Sequence, residues 1–174
     1  MNGNIKIYHG STLPIEQPKI LTAQRTLDFG SGFYATKNYD QAVEWAKKVC
    51  FRKKSGTPVV SVYEFDLDDA ITSLRVLQFK DEPDYDWLDF VYDCRRGKQD
   101  LFSYDMVFGP MANDSVYATF ALYESGVLSR EETIKRLKVR RLYNQILFHT
   151  EESLKYCSFV ESREVRCDGV NDGC

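Results

Sequence analysis

The chain has 174 residues, enough for one domain with a core that needs no covalent staples. Its hydrophobic content of 43% and charged content of 28% are those of an ordinary soluble globule. A formal net charge of −3 excludes a broad basic field for nucleic acid, and no apolar run reaches membrane-spanning length. In chain order, Ile5 to Tyr8 alternates and predicts a short strand. Residues 11–31 carry Pro14, Pro18 and Gly30 with few periodic apolar positions, which predicts a long loop of the kind that more often has a function than not. Gly32 to Thr36 predicts a second short strand.

Asn38 followed three residues later by Gln41 marks a helix start, and Ala42, Trp45, Ala46 and Val49 form its apolar face. Val59 to Leu67 is a β-prone run. Residues 81–94 predict a helix with Pro83 in the first turn and Trp87, Leu88 and Val91 as its buried stripe. Tyr104 to Phe108 predicts a strand ended by Gly109-Pro110. Asp114 caps a helix running to about Ser125, with Gly126 as its stop. Ser129 with Glu132 is a capping box opening a helix to about Val139. Leu142 to His149 predicts a strand, Thr150 to Tyr156 a short helix, and Ser158 to Val165 a last strand. Strands and helices do not alternate regularly, so the fold class is α+β and not a doubly wound parallel sheet. Residues 1–165 read as a single domain. The segment 166–174 is too polar to order itself and reads as a disordered tail.

Five cysteines, Cys50, Cys94, Cys157, Cys167 and Cys174, have no zinc spacing. Three of them fall among apolar neighbours, as buried reduced thiols do. No metal is expected. Met1-Asn2-Gly3-Asn4 lacks the basic and apolar regions of a signal peptide, so the expected setting is a reducing cytoplasm. There is no Gly-rich dinucleotide fingerprint and no Walker-type loop, which excludes a Rossmann-type or P-loop nucleotide site. The acidic, aromatic stretch Asp81 to Asp93 reads as an amphipathic helix on the sheet, and alternatively as a protein-contact face around Trp87.

Three separated pieces remain: Tyr8-His9-Gly10-Ser11, then Asp28-Phe29-Gly30-Ser31-Gly32-Phe33-Tyr34-Ala35-Thr36 ahead of a helix bearing Trp45, and Asn144-Gln145-Ile146-Leu147-Phe148-His149. In order and spacing they resemble the ADP-ribosyltransferase superfamily, in its His-Tyr-Glu branch. Within that branch they are similar to a bacterial family labelled a domain of unknown function. The resemblance implies a core of two packed small β-sheets flanked by helices, with NAD as substrate in the cleft. It implies His9 on a ribose hydroxyl, the Gly10 backbone on the nicotinamide carboxamide with Ser11 beside it, and Tyr34 stacked on the ring. Trp45 is the second aromatic of that scheme, and on its own spacing reads rather as core. Cleavage of the nicotinamide–ribose bond passes through a sugar cation, and in this branch a glutamate offsets that charge. Here Gln145 stands in its place. An amide still bonds a hydroxyl but brings no charge, and losing a preorganised stabiliser costs about 10²–10³ in rate in other sites. Glu64, Asp66, Asp105 and Asp114 are the carboxylates that could substitute.

The implied function is a mono-ADP-ribosyltransferase or NAD glycohydrolase, toxin-like or regulatory, acting on an unknown macromolecular acceptor and open to an antitoxin-like partner. A catalytically weak NAD- or ADP-ribose-binding module and a protein-interaction adaptor are the alternatives.

Overall fold

The computed structural model describes residues 3–21, 27–97, 103–111, 114–139 and 142–166. Within them lie seven strands: β1 (Asn4–Ser11), β2 (Phe33–Thr36), β3 (Val59–Asp66), β4 (Val76–Gln78), β5 (Met106–Pro110), β6 (Asn144–Phe148) and β7 (Cys157–Glu164). Six helices join them: α1 (Tyr39–Lys53), α2 (Leu67–Ser73), α3 (Tyr85–Arg95), α4 (Asp114–Glu124), α5 (Arg130–Lys138) and α6 (Glu151–Leu154). The expected α+β class holds. The sheet is one mixed sheet of seven strands in the order β4-β5-β6-β2-β1-β3-β7, where two packed small sheets were expected. The reason is β2, which pairs with β6 over its whole length and also touches β1, so it joins the two halves.

Side chains alternate across the strands and give the sheet two cores. One face carries Ile7, Phe33, Ala35, Tyr63, Phe65, Met106, Phe108, Ile146 and Phe148, closed by Ala70 of α2 and Leu154 of α6. Ile15 and Ile20 of the long loop pack there too. The Ile15 main chain is fixed twice on β3, its carbonyl accepting from the Tyr63 hydroxyl and its N–H donating to Ser61 Oγ. The other face buries Val107 and Leu147 under Trp87, Leu88 and Val91 of α3, Val116 and Phe120 of α4, and Ile134 and Leu137 of α5. Helix α1 lies on this second face over β1. A Cβ added to Gly10 would sit 2.1 Å from the Ala42 carbonyl oxygen, so glycine sets how closely helix and strand approach.

Several ends differ from expectation for local reasons. Pro83 precedes α3, whose cap is Asp84 accepting from the Trp87 N–H. Gly109 and Pro110 belong to β5, opposite Gln145 and Asn144, since a last strand residue needs no further N–H in the ladder. Asp114 is the first residue of α4, where a cap was expected. Helix α2 and strand β4 were not expected at all. Cys50 and Cys94 are buried and Cys157 is partly buried. The expected disordered tail, beyond Arg166, lies outside the described residues.

Candidate functional site

The centre of the sheet is thinly paired. Strands β1 and β2 meet at one register pair, Tyr8 with Thr36, whereas β1 pairs with β3 along all eight residues from Asn4 to Ser11. Extending that antiparallel register would set Gly10 opposite Tyr34 and Ser11 opposite Phe33. The strands part there instead, and the His9 imidazole spans the gap, its Nδ1 2.7 Å from the Tyr34 carbonyl oxygen. The first two sequence pieces therefore face each other across this split.

A carbonyl can only accept, so Nδ1 of His9 carries the proton and Nε2 of the neutral ring is left as an acceptor. Burial pushes the imidazole below its ordinary value and outweighs the Tyr34 carbonyl, which raises it. The ring lies on Phe33 with centroids 4.6 Å apart. Ser11 Oγ donates to the Leu13 carbonyl at 2.5 Å.

Tyr34 is held by the turn before it. Its hydroxyl donates to the Gly30 carbonyl at 2.7 Å and accepts from the Phe29 N–H at 3.3 Å. Burial first, and the nearby Asp28 carboxylate second, hold the phenol well above its usual range, so it stays protonated. Gly30 and Gly32 have φ of +88° and +148°, and a Cβ on Gly32 would fall 2.3 Å from the Phe148 carbonyl oxygen. His149 Nδ1 donates to the Ser31 carbonyl at 2.9 Å, and burial lowers that imidazole as well. From α3, Arg95 reaches Asp28 with Nη2 at 2.7 Å and Nε at 3.0 Å. The pair is 10% and 12% exposed, and the guanidinium also lies 4.4 Å from the Phe120 ring centroid. Sequence reading placed Asp28 in the motif but missed Arg95. A basic residue ending a helix already has a local reason to be there, so nothing in the sequence pointed across 67 positions.

Gln145 is on β6 between Thr36 of β2 and Gly109 of β5. Alternation puts its side chain on the Tyr34 face of the sheet and His9 on the opposite face, so one ligand meets both only through the split. The residue is 6% exposed, and its Nε2 finds no hydrogen-bond partner. Leaving such an N–H unsatisfied costs about 1–3 kcal/mol. Its polar neighbours are engaged elsewhere. The Thr36 hydroxyl donates to Gln41 Oε1 at 2.6 Å, and Gln41 Nε2 donates to the Met111 sulfur at 3.3 Å. Sequence reading gave Gln41 the reciprocal half of a capping box. Asn38 does cap the Gln41 N–H, but the Gln41 side chain turns to Thr36.

Trp45 is not brought to Tyr34. It is 37% exposed on α1, with the Arg52 guanidinium 5.0 Å from its centroid. Two of the carboxylates suggested in place of a glutamate, Asp66 and Asp105, are occupied elsewhere. Glu64 is exposed, Asp66 caps α2 and Asp105 forms a bidentate pair with Arg75. The side chain of Asp114 lies outside the described residues. Among the described residues no group of three His, Cys, Asp or Glu could hold a metal ion. No helix there is long and apolar enough to cross a membrane. Trp87, the centre of the alternative contact face, is fully buried and donates its indole N–H to the Pro110 carbonyl at 2.9 Å.

Fold and site together define a mixed α+β domain whose single sheet is joined at its centre by one register pair between a histidine strand and a tyrosine strand. The chain belongs to the family described as Protein of unknown function (DUF3990), whose model matches residues 5–159. No curated protein matches it. No solved structure matches it either.

Proposed function

We infer that the split between β1 and β2 is an NAD site and that the protein is a mono-ADP-ribosyltransferase or NAD glycohydrolase of the toxin-like or regulatory kind. The observation that carries this reading is the end of β1–β2 pairing beside Gly10, Ser11 and Tyr34, with His9 bonded to the Tyr34 carbonyl; these four are among the residues that the resemblance assigns to the dinucleotide. The His9 tautomer fits the role, because Nε2 is an acceptor for a ribose hydroxyl. The glycine-rich turn fits too. Three hydrogen bonds, Arg95 to Asp28, His149 to the Ser31 carbonyl and the Tyr34 hydroxyl to the Gly30 carbonyl, fix the turn that carries Tyr34, which is the preorganisation a stacking platform needs. With Gln145 in the place of a carboxylate, turnover is slow.

The test is incubation of the folded protein with labelled NAD, alone and with cell lysate. Release of nicotinamide or label on an acceptor supports the reading. Neither product at high protein concentration sinks it. A second reading, an NAD- or ADP-ribose-binding module without turnover, is favoured by one observation: of the carboxylates that could replace a glutamate, Asp66 caps α2, Asp105 is bound to Arg75, and Glu64 is exposed on β3. Binding without chemistry in the same assay selects it.

A further inference from the structure

The sheet ends in two unlike edges. Strand β4 has three residues, too few to offer another chain much to pair with. Strand β7 has eight, and among the described residues no strand lies beyond it. Its pairing with β3 fixes which main-chain groups look outward. The Val165 N–H donates to the Pro58 carbonyl at 2.8 Å. From there the register sets Glu164 against Val59, Arg163 against Val60, Ser162 against Ser61 and Glu161 against Val62. In an antiparallel pair, residues bonded to the neighbour alternate with residues turned away from it. Val165, Arg163 and Glu161 therefore bond to β3, and the N–H and C=O groups of Glu164 and Ser162 face out. Both of these residues are exposed.

Charge then selects what can pair there. A second β7 laid antiparallel along this edge must match outward groups to outward groups, which centres the two-fold axis on Glu161, Ser162 or Arg163. The first centre sets Glu161 against Glu161, and the last sets Arg163 against Arg163. A centre at Ser162 sets each Glu161 against Arg163 of the second copy. Within one copy these side chains already share a face of β7, with Arg163 Nε donating to Glu161 Oε1 at 3.0 Å, and both are about half exposed. Two such pairs brought together make a closed ring of alternating sign. The nearest further charges, Lys6 and Glu64, oppose each other in register on β1 and β3 and leave that balance unchanged. A bulge opposite Val62 and Tyr63 leaves Glu161 to Glu164 as the regular stretch. Bulges and charges commonly protect an edge. Here the protection is selective, because it repels two registers and admits one.

We propose that the outer edge of β7 pairs two copies of this chain across a two-fold axis at Ser162, continuing the sheet from one copy into the other. The contact lies away from the β1–β2 seam and does not rest on the NAD reading.

Sedimentation equilibrium of the whole protein over a range of concentrations tests it, with thermal melts showing that each variant folds. The native protein is expected to form a concentration-dependent dimer. Arg163→Glu sets like charges against each other at both positions and is expected to raise the dimer Kd at least about tenfold. Glu161→Arg combined with Arg163→Glu is expected to restore the dimer, because full reversal keeps the ring alternating. Ser162→Pro removes an outward N–H and none that β3 uses, so it is expected to fold and to stay monomeric. Native protein that is monomeric up to about 1 mM overturns the proposal. So does a dimer that Arg163→Glu and Ser162→Pro leave intact, or a folded double reversal that stays monomeric.

Discussion

His9 and His149 both fold with imidazoles held below their ordinary value, chiefly by burial. The sign of the consequence is fixed. A group that is harder to protonate when folded takes up more protons in the unfolded chain, so its contribution to stability is complete above the ordinary imidazole value of about 6.5 and is lost as pH falls below it. Melting temperature is therefore expected to drop between pH 7.5 and pH 5.5, and His9→Gln to flatten that slope. An unchanged slope in the variant would show that the His9 ring is not desolvated as described. His9-Gly10-Ser11 and Tyr34 were singled out in the sequence, and the His9 ring does bond the Tyr34 carbonyl. That Gln145 would sit on the opposite sheet face from His9 was not legible there, because facing depends on register with strands far away in the chain. Tyr34→Phe tests the turn more locally. It removes the donor to Gly30, and should cost about 1 kcal/mol in a denaturant titration.

At the scale of elements, caps were the most readable signals because they are local. The Ser129–Glu132 box forms reciprocally, with Ser129 Oγ accepting from the Glu132 N–H and Glu132 returning to the Ser129 N–H. Ser129→Ala should destabilise α5 by about 0.5–2 kcal/mol, read as a lower midpoint in urea with an unchanged slope. Helix α2 and strand β4 escaped sequence reading because each is short. Helix α2 buries only Ala70, so no periodic stripe betrays it. Strand β4 has three residues and exists because β5 offers it a parallel edge. Gly10→Ala belongs at this scale as well. Its Cβ would strike main chain of α1, which has no flexible end to move aside. The helix must lift from β1, with a loss of at least about 1–3 kcal/mol and, under the NAD reading, weaker ligand binding in calorimetry.

For the whole molecule, the tie between Asp28 and Arg95 joins the turn before β2 to the end of α3 and so couples the thinly paired centre of the sheet to the helical layer. Arg95→Ala would take the cation away from a nearly buried carboxylate, and a loss of about 3–5 kcal/mol is expected in chemical denaturation. Asp28→Asn combined with Arg95→Ala should recover part of it, since no lone charge remains. The α+β class was legible in the order of strands and helices. The joining of all the strands into one sheet was not, because it hangs on β2, a four-residue strand whose two partners are distant in sequence. That same economy has a mechanical side. With a single pair at the seam, a slab of β4, β5, β6 and β2 abuts a slab of β1, β3 and β7 along the thinnest strand pairing of the sheet. Pulled from both edges, the protein should rip there before either slab frays, and a small molecule lodged across the line would act as a rivet, raising the force at which it gives way.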